Sequence, residues 1–393
     1  MRLRRRSVPF ENNIPMDNSN IIIIIMRTLF FVTISVRSAS AIQLGVGFSR
    51  HCPIPRSSSS FGKHNIVGNR MASSLHCPSA IQSTNNDGGI DQDSPTVANL
   101  LQRAQTLRRN IYGDSNTPSF VHDTSRLSYP SSTYNMETDN TIIRNRNSKT
   151  IVQRGFCNWL IPHLLMIGQY PGTTPETNGP TRNESTRHIR NMVQDANISL
   201  FCCLQSEVPC QTEEEAWNRD GGGIYLEPYY RREFPRPFTR YGALAQSFAN
   251  DSNSKRKQPR QQRSLAFLHN PIEDLSVPTC NDSLLSLLSS LLQHLENEHN
   301  GNNNTAPNNQ PTIYLHCWGG RGRAGLIGSC LASLLFPELS SKEILEWVQR
   351  GYDTRAGAES MREGLKRSPQ TEQQRWFVRE FVALVHTERD KIL

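Results

Sequence analysis

The chain has 393 residues, enough for two average domains, and carries 43 basic and 35 acidic side chains, which gives a formal net charge of +8. Residues 1–150 hold 17 of the basic and 9 of the acidic side chains, so this part carries the whole excess and residues 151–393 are formally neutral. No basic face with interleaved aromatic side chains accompanies the charge, and we therefore exclude a nucleic-acid partner.

The first 41 residues have the pattern of a signal-peptide-like targeting segment. MRLRRR is followed by the apolar run IIIIIMRTLFFVTISV and by RSASA, where Ala39 and Ala41 have the small-x-small spacing that signal peptidase accepts. The apolar run is short for a membrane span and contains Arg27, so we expect no transmembrane span in the mature protein. Met26 offers a second possible start.

Residues 42–86 contain no Asp or Glu and are rich in Ser, which is typical of an organelle transit peptide. The N-terminus therefore predicts a plastid or the secretory pathway, and a cytoplasmic location if the start is mispredicted. Residues 42–150 hold few large apolar side chains and are expected to form a disordered tail. One short helix is predicted near 94–112, with Ser94 as its cap and Leu100, Leu101, Ala104 and Leu107 at helical spacing.

Residues 151–393 alternate short apolar runs with helical patterns. The predicted strands are LIPHLLMIG (160–168), ISLFCCLQ (198–205), SLAFLHNPI (264–272) and TIYLHC (312–317), and their continuous apolar character is that of strands buried on both faces. Amphipathic helices are predicted near 239–250, 282–298, 324–336, 340–353 and 371–386. This rhythm predicts an α/β domain whose central, mostly parallel sheet is flanked by helices, with disordered insertions near 252–263 and 300–310.

The nine cysteines have irregular spacing and form no Cys-x-x-Cys pair, so they indicate neither a zinc site nor a disulfide framework. We expect no metal and no cofactor. Most of the cysteines have the character of buried small apolar side chains, and Cys317 is the exception.

Cys317 opens a glycine-rich turn, CWGGRGRA, between a predicted strand and a predicted helix. Backbone N–H groups of such a turn can converge on one point at the helix N-terminus, where the helix dipole also favours an anion. The same groups would stabilise a thiolate at Cys317. Arg323, six positions later, can reach across the turn and hold two phosphate oxygens with its planar guanidinium. The loop therefore predicts a phosphate-binding nucleophile.

The Cys-x5-Arg loop, preceded by His316, resembles the signature of the cysteine-dependent protein tyrosine and dual-specificity phosphatases. Its opening, HCWGG, looks most like the subgroup that includes cyclin-dependent-kinase-associated phosphatase. The resemblance extends over residues 156–385 and implies the fold of that superfamily. The resemblance implies that Cys317 is the nucleophile and that Arg323 binds the phosphate. His316 would form a hydrogen bond near the cysteine and help to set its pKa, or it is equally an ordinary strand histidine whose ring is satisfied by backbone groups. The remaining loop residues that would surround the phosphate are Trp318, Gly319, Gly320, Arg321 and Gly322.

The general acid and the water-orienting residues are implied by shorter matches. FLHNPIEDLSVP resembles the segment that carries the family's mobile acid and places Asp274 on it, although Asp274 could only close a turn and Glu273 could be the acid instead. SPQTEQQRWFV is similar to the family's glutamine segment, in which Gln370 and Gln374 would orient the hydrolytic water. Both glutamines could equally be surface residues of a helix.

Two loop positions depart from the family pattern. The family has Ser or Thr after the arginine, where this chain has Ala324, and loss of a hydrogen bond to the departing sulfur would slow the second step about 10- to 100-fold. Plant glucan phosphatases are similar in tolerating Ala there. Arg321 stands where lipid-directed members carry Lys, and it either contacts a second phosphate or is a solvated side chain at the pocket rim.

The resemblance implies a phosphomonoester hydrolase that works through a phosphocysteine intermediate, with a phosphorylated protein as the favoured substrate. Phosphoinositide and phosphorylated glucan remain alternatives, and so does a pseudophosphatase that binds phosphoproteins without turnover. The sequence gives no indication of the oligomeric state.

Overall fold

The computed structural model describes residues 95–113, 118–129, 133–137, 151–176, 178–218, 223–224, 236–254, 263–301 and 312–392. These residues belong to one compact unit, His76–Leu393. The targeting segment predicted for residues 1–41, and the transit-like stretch as far as residue 94, lie outside the described residues and stay predictions.

A five-stranded sheet forms the centre of this unit, in the spatial order β3-β4-β9-β5-β8. Its strands are β3 (Cys157–Ile161), β4 (Leu165–Gly168), β5 (Ile198–Gln205), β8 (Ala266–Ile272) and β9 (Thr312–His316). The pairs β4–β9, β9–β5 and β5–β8 are parallel, and only β3 runs antiparallel, beside β4. The predicted α/β class with a mostly parallel central sheet is confirmed.

Two short two-stranded sheets accompany the central one. β1 (Thr133–Glu137) pairs antiparallel with β2 (Ile151–Gly155), and β6 (Gly223–Ile224) pairs with β7 (Phe238–Thr239).

The apolar run 160–168 forms a hairpin and not the single strand predicted for it. β3 ends at Ile161, the chain turns, and β4 begins at Leu165. Pro162 has no N–H to give to a sheet ladder, and His163 adopts a positive φ of 62°, so the chain reverses here. Because both strands are buried on both faces, their residues form one continuous apolar run, which in the sequence looks like a single longer strand.

β8 lies at the edge of the central sheet, and this position changes its burial. Of its seven residues only Ile272 is buried, whereas every residue of β5 is buried. The prediction that all four runs are buried on both faces is therefore wrong for β8. Pro271, which cannot donate to a ladder, fits an edge strand.

Helices cover both faces of the central sheet. They are α1 (Val97–Tyr112), α2 (Arg182–Gln194), α3 (Glu214–Asn218), α4 (Gly242–Ser254), α5 (Asn281–Gly301), α6 (Arg323–Leu335), α7 (Ser341–Asp353) and α8 (Glu372–Ile392). One core cluster joins the sheet to α1, α5, α6, α7 and α8, and a second joins its opposite face to α2 and α4. No helix in the described ranges is long and apolar enough to cross a membrane.

Helix α1 belongs to the folded body. Its N-cap is Thr96, whose side chain accepts from the Asn99 N–H, and not the predicted Ser94. The four apolar residues predicted to recur along this helix are all buried in the larger core cluster, together with Phe120, Val121 and Leu127. The disordered tail predicted for residues 42–150 therefore does not hold for 95–113 and 118–129, and the domain begins before residue 151.

The two predicted insertions are shortened by the helices beside them. α4 continues to Ser254 and α5 to Gly301, so residues 255–262 and 302–310 are the parts of the insertions that lie outside the described residues. Arg263, at the end of the first, donates to the carbonyls of Asn197 and Ile198 at 2.8 and 2.7 Å.

Candidate active site

The candidate active site lies in the connection between β9 and α6, at the carboxyl end of the parallel strands. β9 ends at His316, α6 begins at Arg323, and Cys317 is the first residue of the loop between them. Cys317 is buried, and its N–H donates to the Gly168 carbonyl at 3.4 Å. No side chain caps the N-terminus of α6 at Gly322, so the first N–H groups of the helix are available to an anion.

The end of β4 fixes the course of the loop. The Tyr170 N–H donates to the Trp318 carbonyl at 3.0 Å, and Gly320 packs directly on Gly168. Gly320 has a φ of +68°, and a Cβ placed on it would lie 2.0 Å from the carbonyl carbon of Gly168. Only glycine fits this position.

Arg355 holds the loop from behind, and nothing in the sequence identified it. It is fully buried just after α7, and it donates to the Gly320 carbonyl at 2.8 Å and to the Gly319 carbonyl at 3.4 Å. Asn158 orients the guanidinium by accepting from Nε at 2.7 Å. Because these two loop carbonyls point toward Arg355, the N–H groups of the loop can point away from it. Burial lowers the pKa of Arg355.

Arg323 is almost completely buried and is held by Glu207. The two terminal nitrogens of the guanidinium donate to the two carboxylate oxygens of Glu207 at 2.6 and 2.8 Å. Nη1 also donates to the Ile272 carbonyl at 2.9 Å. Burial alone lowers the pKa of Arg323, but the hydrogen bonds to Glu207, together with the negative charges of Cys317, Glu207 and Asp274, more than offset it and raise that pKa, so the side chain stays charged. Nε has no partner among the described residues, which leaves the Nε side of the guanidinium for a ligand.

Asp274 follows β8 and meets the same guanidinium. Its Oδ1 lies 3.1 Å from Nη2 of Arg323, and its side chain is 56% exposed. Asp274 lines the same cavity as Cys317, whereas Glu273, its rival in the sequence, is exposed and does not line that cavity. The structure thus brings Asp274, Arg323 and Cys317 together and leaves Glu273 outside.

The cavity above the loop has a volume of about 480 Å³. Six of its lining residues come from the loop and its end, namely Cys317, Trp318, Gly319, Arg321, Gly322 and Arg323. Gly320 does not line it, because it faces β4. Within the described ranges, no group of His, Cys, Asp and Glu side chains is arranged to hold a metal ion.

The two glutamines occupy different environments. Gln370 lines the cavity and accepts from Nε of Arg321 at 3.1 Å. Gln374 is fully buried, does not line the cavity, and has both ends of its amide engaged by backbone. Its Nε2 donates to the Ser276 carbonyl at 2.8 Å, and its Oε1 accepts from the N–H groups of Gln370 and Thr371. Gln374 thus ties the Asp274 segment to the glutamine segment and does not reach a water in the cavity in this conformation.

Arg321 is not a freely solvated side chain at the rim. It is half-buried, donates to Gln370, and its Nη1 donates to the Leu365 carbonyl at 3.2 Å. The Ser368 hydroxyl donates to the Arg321 carbonyl at 2.9 Å and fixes the backbone as well. Ala324 is fully buried in the first turn of α6.

His316 lies beneath the loop in a buried polar network. Its Nε2 is 2.6 Å from the Tyr241 hydroxyl, and burial lowers its pKa to about 3. The ring is therefore neutral at physiological pH. His316 can orient the loop next to Cys317, but it does not bring a positive charge to the sulfur.

Glu207 is the second residue that the sequence analysis missed, and here a signal was available. It follows β5 by two residues, and β5 is the parallel neighbour of β9. The carboxyl ends of adjacent parallel strands meet at one edge of the sheet, where ligands bind. A carboxylate at that place was therefore a candidate partner for Arg323.

Several solved structures that are similar to this chain are phosphatases. Kinase associated phosphatase, with serine in place of its catalytic-site cysteine, is 15% identical over 61% of this chain and 98% of its own, with a TM-score of 0.34. PTPMT1 in complex with PI(5)P is 12% identical over 58% and 95%, with a TM-score of 0.32. The Trypanosoma cruzi protein tyrosine phosphatase TcPTP1 is 15% identical over 75% and 96%, with a TM-score of 0.32.

No family model matches the chain, and no curated protein matches it.

Proposed function

We propose that this protein is a cysteine-dependent phosphomonoester hydrolase that works through a phosphocysteine intermediate. The observation that carries the proposal is the convergence of Cys317, Arg323 and Asp274 on one cavity above an uncapped helix N-terminus. These groups supply a nucleophile, an anion clamp and a proton donor, which are the three parts that phosphoryl transfer to a thiolate needs.

In the first step the phosphate enters between the loop and Arg323. It takes over the Nε side of the guanidinium and displaces Asp274 from Nη2, while Glu207 keeps its hydrogen bonds to both terminal nitrogens. Cys317, as the thiolate, attacks phosphorus in line with the leaving oxygen, and the S–P bond forms as the P–O bond breaks. Asp274, displaced from Arg323 and protonated, gives its proton to the departing oxygen.

In the second step water cleaves the S–P bond. Asp274, now a carboxylate, takes a proton from the water, and the sulfur leaves as a thiolate. Gln370 lines the cavity and can orient this water, while Gln374 acts as a positioning residue through its bond to the Ser276 carbonyl. Arg323 and the loop amides stabilise the phosphoryl oxygens throughout. Ala324 offers no hydroxyl to the departing sulfur, so this step is expected to limit the rate.

A phosphorylated protein is the substrate that the sequence resemblance favours. The alternatives are a phosphoinositide, a phosphorylated glucan, or binding of a phosphoprotein without turnover. Among the three possible substrates the reaction class is the same, because the groups named above act on the phosphoryl group that these substrates share.

The test is rapid-mixing kinetics of p-nitrophenyl phosphate hydrolysis by the full chain, with Cys317→Ser and Ala324→Ser as variants. We expect a burst of nitrophenol followed by slower turnover, no turnover in Cys317→Ser, and a faster steady state with a smaller burst in Ala324→Ser.

A different result would overturn the catalytic reading. If turnover is no higher than in Cys317→Ser although vanadate binds, the site binds phosphate without hydrolysing it, and the protein is a pseudophosphatase.

A further inference from the structure

Arg154 is a cation in the wall of the cavity that has no acidic partner among the residues that the structure describes. It is the fourth residue of β2, it is half-buried, and no carboxylate of the described residues pairs with it. Its Nη2 contacts the Met361 sulfur at 2.6 Å, and its Nε has no hydrogen-bond partner in the described ranges. A thioether is a weak acceptor, and a partly desolvated charge without a counter-charge is unfavourable.

The other three arginines of the cavity have better partners. Arg323 is paired with Glu207, Arg321 donates to Gln370 and to a carbonyl, and Arg355 donates to four oxygen acceptors. Arg154 is thus the arginine of the cavity with the most N–H donors left without an oxygen acceptor. An anion in the cavity would accept hydrogen bonds from these donors.

The cavity has room for such an anion beside the phosphate over Cys317. Its volume of about 480 Å³ lies within the range of roughly 300–1,000 Å³ typical of small-molecule sites, far more than one phosphate group needs. Close to Arg154 the wall is made of small residues, Gly155 and 356–358, which leave space next to the guanidinium.

Glu176 lies in the same cavity and adds an acceptor. Its Oε2 has no hydrogen-bond partner in the described part of the chain. An unsatisfied polar atom shielded from water is unfavourable, so this carboxylate gains by turning toward a donor that enters the cavity. A hydroxyl group provides such a donor.

We propose that Arg154 is the centre of a second anion subsite, and that the preferred substrate is a phosphorylated polyol that carries a second phosphate. The scissile phosphate sits over Cys317, the second phosphate pairs with Arg154, and a hydroxyl of the polyol donates to Glu176. The inference rests on the phosphatase function proposed above. The same chemistry occurs in free polyol bisphosphates and in the headgroup of a phosphorylated inositol lipid.

The test compares matched substrates with the full chain. For each variant the measured quantity is the ratio of kcat/KM for inositol 1,4-bisphosphate to kcat/KM for inositol 4-phosphate. We expect a ratio of about ten in the natural protein, from one added charge-assisted hydrogen bond. The ratio should fall to about one in Arg154→Gln and stay above about three in Arg154→Lys. Arg109→Gln removes an exposed charge of α1 that does not line the cavity, and it should keep the natural ratio.

Three outcomes overturn the subsite. One is a ratio near one in the natural protein, another is a high ratio that survives Arg154→Gln, and the third is a phosphotyrosine peptide that is turned over faster than the bisphosphate. Turnover of p-nitrophenyl phosphate by the natural protein separates these from failure of the proposed function, since its absence would overturn both. Thermal unfolding of each variant identifies a loss due to misfolding, and Arg154→Lys then tests the charge in a folded protein.

A further arm identifies the source of the ligand. Phosphatidylinositol 4-phosphate in phosphatidylcholine vesicles carries the same headgroup with its second phosphate as a diester. Faster turnover of the vesicles than of the free bisphosphate supports the subsite with a lipid as the source, and the reverse order supports it with a free polyol phosphate.

Discussion

Gly320→Ala should disrupt the phosphate-binding loop, and the structure provides its own control in the neighbouring glycine. A Cβ on Gly320 would lie 2.0 Å from the carbonyl carbon of Gly168 and 2.3 Å from the Gln169 nitrogen, which are backbone atoms that cannot rotate away. A Cβ on Gly319 would meet only the guanidinium carbon of Arg321, at 3.9 Å, which is an ordinary contact. The two substitutions add the same methyl group one residue apart.

The magnitude follows from two contributions. A residue with a side chain at the positive φ of Gly320 costs about 1–2 kcal/mol, and overpacking against β4 adds about 1–3 kcal/mol. Ordinary contact begins near 3.4 Å, so the loop and β4 must separate by about 1.4 Å. A displacement of about 1 Å at a reacting centre can cost on the order of 100-fold in rate. We therefore expect the free energy of unfolding to fall by about 2–5 kcal/mol and kcat/KM by about 100-fold.

Thermal unfolding and hydrolysis of p-nitrophenyl phosphate measure the two effects. For a domain of this size the loss corresponds to a decrease in Tm of roughly 4–20 °C in Gly320→Ala, with Gly319→Ala within a few degrees of the natural protein. If the two variants have equal Tm values and equal activities, Gly320 does not pack on β4 as described and the loop geometry above is wrong.

Three further predictions concern the acid, the second step and the response to pH. Asp274→Asn should lower kcat for phenyl phosphate by about 100- to 10,000-fold and affect p-nitrophenyl phosphate much less, because nitrophenolate leaves without a proton, whereas Glu273→Gln should leave both rates near natural values. Ala324→Ser should speed hydrolysis of the phosphoenzyme about 10- to 100-fold in single-turnover experiments, and an unchanged rate would remove the missing hydroxyl as the cause of a slow step. Burial lowers the pKa of His188 and of His316 to about 3 each, so the unfolded chain binds protons that the folded chain excludes between about pH 6.5 and pH 3. Urea unfolding should therefore show that the free energy of unfolding decreases as the pH is lowered through that window, by about 1.4 kcal/mol per pH unit for each histidine. The slope should be shallower in His188→Gln.

The sequence predicted the part of the fold and site that depends on local pattern. The apolar runs of β5 and β9 and the helical period of α5 to α8 are patterns of consecutive residues, and the ends of these elements lie no more than six residues from the predicted ones. The order Cys317, glycines, Arg323 is also local, because one strand-to-helix turn contains the whole phosphate-binding loop. Errors occurred where tertiary position overrides pattern, as in the hairpin at Pro162 and in the edge strand β8.

The contacts that hold the phosphate-binding loop in place could not be predicted in this way, because each is a hydrogen bond between residues that are distant in the sequence. Glu207 precedes Arg323 by 116 positions, and Asn158 precedes Arg355 by 197. In the sequence each is one polar residue among many, and only the sheet order brings it to the loop. A buried guanidinium is nevertheless costly unless its donors are satisfied. Once Arg323 is assigned to a buried phosphate-binding loop, its guanidinium needs an acceptor, which the end of a neighbouring parallel strand can supply. Glu207 is that acceptor. Within the described part of the chain the same requirement is not met for Arg154, and for this reason it is expected to find its partner in the substrate.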